Sequence, residues 1–137
     1  MAMSAEEKQA LKETMAERAK ARKKMGPEQL EAEVVEKIDK MAPADRTIAK
    51  KIHALVKKVA PELQAKTWYG MQAYFKEGKV VVFFQDGGKF QTRYCTLGFQ
   101  DAANLDDGTM WPTSYAVTAL DKATEKRIAD LVRQAAS

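Results

Sequence analysis

The chain has 137 residues, 45% apolar and 31% charged, which is the usage of one ordinary folded domain. A disordered chain, a collagen and a disulfide scaffold are excluded. Its 23 Lys and Arg against 19 Asp and Glu leave a charge of +4. One cysteine, Cys95, and one histidine, His53, are too few for the usual structural zinc cage.

The charge is uneven along the chain. Residues 1–24 hold seven basic and four acidic side chains, and residues 25–137 hold sixteen and fifteen. The surplus therefore belongs to the N-terminal segment, densest at Lys20, Arg22, Lys23 and Lys24. Residues 4–24 are rich in helix formers but carry a thin apolar stripe, Leu11 and Met15. Such a helix gains little from packing, so it reads as a contact element for a partner protein or a second copy. We divide the chain into a basic helical extension, 1–25, and an α+β domain, 26–137.

Gly26-Pro27 opens the next helix, since proline suits a first helical position. Leu30, Val34, Ile38 and Met41 form its apolar face. Pro43 marks a boundary, and Ile48, Ile52, Leu55, Val56 and Val59 form a wider stripe that ends at Pro61. The two Trp, four Tyr and five Phe then all fall between Trp68 and Tyr115, which reads as strand. Strands are expected at Lys66–Tyr69, Ala73–Lys76, Lys79–Gln85, Lys89–Leu97 and within Thr109–Leu120. Glu77-Gly78 is a two-residue hairpin turn. The unbroken run Val80–Phe84 predicts a central strand covered on both faces. Asp121 suits the N-cap of a last helix facing inward through Ile128, Leu131, Val132 and Ala135.

Helices, then strands, then a helix make an α+β fold. The expected architecture is a single antiparallel sheet of four to five strands, with N- and C-terminal helices packed on one face. No stretch approaches the ~18 apolar residues of a membrane span. The N-terminus lacks a signal-peptide core, so a cytoplasmic, reducing location and no membrane partner are expected.

From about Lys40 to its end, the chain resembles the YdhG-like family of domains. The resemblance is carried by Ala60-Pro61-Glu62-Leu63, by Lys66-Thr67-Trp68-Tyr69-Gly70-Met71-Gln72-Ala73-Tyr74 and by Gly78-Lys79-Val80. It continues in Arg93-Tyr94, Leu97-Gly98-Phe99, Leu105-Asp106-Asp107-Gly108 and Met110-Trp111-Pro112-Thr113. Gln72 stands where the family has proline, so this turn is less pre-set. The resemblance implies a compact α+β domain and, through one frataxin-like branch, iron delivery to partner proteins.

The candidate sites follow. Trp68, Tyr69, Met71, Tyr74, Arg93, Tyr94 and Trp111 are candidates for an aromatic ligand cleft. Asp101, Asp106 and Asp107 are the acids an open iron site would use. His53 reads as a boundary residue and Cys95 as a small strand hydrophobe. No catalytic constellation is present, so a non-enzymatic binding module without a resident cofactor is expected. It would act through a small ligand or a protein partner. Transient iron binding is the alternative. Nucleic-acid binding through the basic N-terminal helix is a further alternative, against which the near-neutral domain argues.

Overall fold

The computed structural model describes Ala5, Lys8 and residues 25–137, with only the backbone of Lys89 and Phe90. Apart from Ala5 and Lys8, the expected basic helix lies outside the described residues. Helix α1 is Pro27–Asp39 and α2 is Pro43–Val59, each opened by its proline. Five strands follow: β1 Gln64–Trp68, β2 Met71–Lys76, β3 Lys79–Gln85, β4 Cys95–Phe99 and β5 Ser114–Val117. A single helical turn, α3 (Gly87–Phe90), separates β3 from β4. Helix α4, Lys122–Ala136, closes the chain. Its N-cap Asp121 accepts from the Thr124 amide at 2.8 Å, as capping chemistry requires.

The sheet is an antiparallel meander in the order β1-β2-β3-β4-β5. Two of its hairpins turn on two residues. Tyr69-Gly70 has φ of 50° and 74°, and Glu77-Gly78 has 50° and 80°. Both central residues are left-handed, the turn that matches strand twist. The expected strand over Lys66–Tyr69 therefore ends one residue early, and β2 starts at Met71.

Alternation along the paired strands sorts the side chains. Ala65, Thr67, Gln72, Tyr74, Val82, Phe84, Cys95, Leu97 and Val117 share one face by register, and all are buried. This face meets the helices. Gln72 donates to the Ala49 carbonyl of α2, and the Lys76 ammonium donates to the Ala136 carbonyl of α4. The helices supply Val34 and Ile38 from α1, Ile48, Ile52 and Val56 from α2, and Ile128 and Val132 from α4. The architecture is the expected α+β layer pair.

Two expectations are corrected. Lys89–Leu97 is not one long strand; the first part is α3 and an irregular stretch, and β4 begins at Cys95. The cause lies far away in sequence: the Asp45 carboxylate on α2 takes the Gly88 amide at 2.8 Å and holds the turn. Gln91, at φ 55°, then ends it. The strand expected within Thr109–Leu120 is found as Ser114–Val117, a late start that suits Pro112, which lacks an amide to donate. The other correction is that β3 is central, but the described helices cover only one of its faces. Val81 is bulged between the pairs Tyr74–Val82 and Phe75–Val80, which disturbs simple alternation in that run.

Candidate functional site

The sheet face that no described helix covers, called the helix-free face below, is the first feature of interest. By register it presents Lys66 and Trp68 from β1, Met71, Ala73 and Phe75 from β2, Phe83 and Gln85 from β3, and Thr96 and Gly98 from β4. Trp68, Met71, Phe75 and Phe83 are only half-buried there. Phe83 pairs with Gly98, and its ring lies across β4 over that glycine. A Cβ at Gly98 would collide with the ring. The glycine therefore makes room for a ring lying down on the sheet, and the ring covers exposed backbone in return. Trp68 packs against Phe83 with centroids 5.3 Å apart, and Tyr69 against Trp68 at 5.0 Å. These three rings form a row from the sheet centre to the first hairpin tip, where Tyr69 is 82% exposed. Beside it, the Lys66 ammonium sits 5.2 Å from the centre of the Phe75 ring. Among the described strand residues this face holds no carboxylate.

A second feature lies under the helices. Gln72 is fully buried, and its amide nitrogen donates both to the Ala49 carbonyl (3.1 Å) and to the Tyr74 hydroxyl (2.8 Å). The carbonyl can only accept, which orients the amide. The Tyr74 hydroxyl accepts from Gln72 and shares a 2.7 Å hydrogen bond with His53 Nδ1. His53 Nε2 faces Glu31 at 3.5 Å, and since a carboxylate only accepts, the neutral ring carries its proton on Nε2 and accepts from Tyr74 at Nδ1. Lys57 pairs with the same carboxylate, 2.8 Å from Oε2. Gln72 Oε1 is buried and meets no donor. Burial lowers the His53 pKa, while Glu31 pulls it upward. Burial raises that of Tyr74 above the ordinary phenol value. Tyr74, Glu31 and Lys57 line a cleft of about 250 Å³. Both His53 nitrogens face partners within the protein, so this chain is built to hold α1, α2 and β2 together. His53 is thus more than a boundary residue, which its position in the sequence did not show.

The seven residues expected to line one cleft are divided. Trp68, Tyr69 and Met71 gather at the first hairpin, on or beside the helix-free face. Tyr74 points the opposite way into the helix layer. Arg93 and Tyr94 lie before β4, the guanidinium 5.3 Å from the Tyr94 ring centre, and line a separate hollow of about 160 Å³ with Asp45 and Cys95. Trp111, from the loop before β5, is half-buried against the core. Phe83, Phe75, Lys66 and Gly98 join Trp68 on this face and were not picked out as candidates. Register would have found them: they fall on the same side of their strands as Trp68.

Asp101, Asp106 and Asp107 are exposed. Among the described residues, no three His, Cys, Asp or Glu side chains are grouped as metal ligands. No described helix is long and apolar enough to cross a membrane.

Cys95 is buried, and its thiol donates to Asp45 Oδ1 at 3.2 Å. Burial first, and the nearby Asp45 carboxylate next among the raising effects, push its pKa up to about 11. Iodoacetamide should therefore alkylate native Cys95 slowly at pH 8, and quickly once urea unfolds the chain. Fast native alkylation at neutral pH would contradict this placement.

No family model, no curated protein and no solved structure matches the chain.

Proposed function

We propose that the protein is a small binding module that works through the helix-free face of its sheet, by contact and not by catalysis. The observation that carries this reading is the Phe83 ring lying over Gly98, with Trp68 packed beside it, on a face no described helix covers. Trp68, Phe75 and Phe83 keep part of their rings open to solvent there, and apolar patches open to solvent mark contact sites. The helix side has already spent its apolar surface on the core. The polar chain through His53 supports the same division, because its donors and acceptors are turned inward. We carry the YdhG-like kinship as part of this proposal: its motif from Lys66 to Tyr74 is the first hairpin, which presents Trp68 and Tyr69.

The test is amide NMR of the full labelled chain against three probes: an oligonucleotide, an oligosaccharide and an apolar peptide. At least one should shift the amides of Trp68, Phe83 and Gly98 while leaving Glu31 and His53 in place. Shifts confined to the Glu31–Tyr74 cleft, or none with any probe, would overturn the reading.

A further inference from the structure

The size of the face limits its occupant. Five strands about 4.8 Å apart, each about five residues long at ~3.4 Å per residue, cover about 24 by 17 Å, or about 400 Å². A standard protein interface takes about 800 Å² from each partner. The face alone is too small for a second copy or a globular partner to bind stably. It suits a narrow ligand that lies flat on rings.

The charge on the face limits the occupant further. The domain is nearly neutral as a whole, and its helices carry both signs. On α1 and α4 exposed acids such as Glu36 and Asp130 stand beside exposed bases such as Lys37 and Lys126. Among the described strand residues, the sheet face holds the Lys66 ammonium beside the rings and no carboxylate. A neutral sugar would leave that ammonium without a partner. A ligand with planar rings and an anionic thread would use both.

We infer that the helix-free face binds single-stranded nucleic acid, with bases stacked on Tyr69, Trp68 and Phe83 and a phosphate at Lys66. This rests on the reading of the face as the contact surface. It places the interaction on the sheet and not on the basic segment before it. Aromatic platforms with neighbouring cations bind single strands in this sequence-tolerant way.

The test uses the full chain and the anisotropy of fluorescent oligothymidylate and oligouridylate, which separate DNA from RNA as the source. Binding should weaken as salt rises. Phe83→Ala should weaken it by about tenfold, the cost of one lost stack. Gly98→Ala, which forces the Phe83 ring off β4, should weaken it similarly while the strand still forms. Lys66→Gln should lower the slope of log K against log salt by about 0.7, one phosphate contact on a single strand.

Failure to bind either oligomer at low salt would overturn the inference. So would binding that Phe83→Ala and Lys66→Gln leave unchanged, but that is lost on changing Lys20, Arg22, Lys23 and Lys24 to Gln. If the oligosaccharide or the peptide shifts Phe83 and Gly98 and neither oligomer does, this inference falls and the contact face stands.

Discussion

Phe84→Ala should cost about 3–5 kcal/mol of stability, whereas Phe83→Ala should cost much less. The two residues are neighbours on β3 and chemically identical. Phe84 is fully buried in the helix layer, against Val82 and Leu97 on the same face. Its loss leaves a cavity in a close-packed interior. Phe83 covers Gly98 from the open side and keeps part of its ring in water. Its truncation gives up some apolar contact but opens no enclosed void. A typical domain is stable by only about 5–15 kcal/mol, so the first change approaches the threshold of unfolding. Urea unfolding of both variants measures the difference. Equal losses would mean that both faces of β3 are core.

Tyr74→Phe should destabilise the fold by about 1–3 kcal/mol. The ring volume stays, so the effect isolates the hydroxyl. Without it, His53 Nδ1 loses its donor and one Gln72 N–H loses its acceptor, both inside the protein. The same chain sets a pH dependence. The pKa of His53 is depressed in the folded state, chiefly by burial. The unfolded chain therefore takes up a proton more readily as pH falls. Stability from the neutral ring is complete above the unfolded value of about 6.5 and drains away below it, at up to about 1.4 kcal/mol per pH unit. Glu31 Oε1 faces the ring on Nε2 and Lys57 stands beyond it, so their opposing charges limit the change. Replacing His53 by Gln keeps an acceptor for Tyr74 and removes the titration. The urea midpoint of that variant should fall less than that of the parent between pH 7 and pH 5. An unchanged pH profile would show that His53 does not titrate differently on folding.

Local chemistry in the sequence accounts for much of this fold. The prolines at 27 and 43, the Glu77-Gly78 turn and Asp121 act through neighbours a few residues away, and the elements they bound are found where expected. Strand β3 matches its expected limits, Lys79–Gln85. The misread segment, Gly87–Phe90, is held by Asp45, more than forty residues earlier, and no local pattern reports such a bond. The candidate site was harder to read for a similar reason. Trp68, Tyr69, Met71 and Tyr74 are close in sequence and all lie in the aromatic stretch, so they resemble one cleft. The turn at Tyr69-Gly70 and the alternation of β2 send Tyr74 to the other side of the sheet. Only the register, which depends on long-range pairing, brings Phe83 and Gly98 to Trp68 and brings Tyr74 to His53.

The central claim is that the sheet's helix-free face is open and ready for contact. A soluble nitroxide added to the full chain tests it directly, because it broadens signals from protons that solvent can approach. The account predicts strong broadening of the Trp68 indole, the Phe83 ring and the Met71 methyl, with the Val82 and Val132 methyls protected. Protection of Trp68, Met71 and Phe83 to the level of Val82 would contradict it, since that face would then be covered.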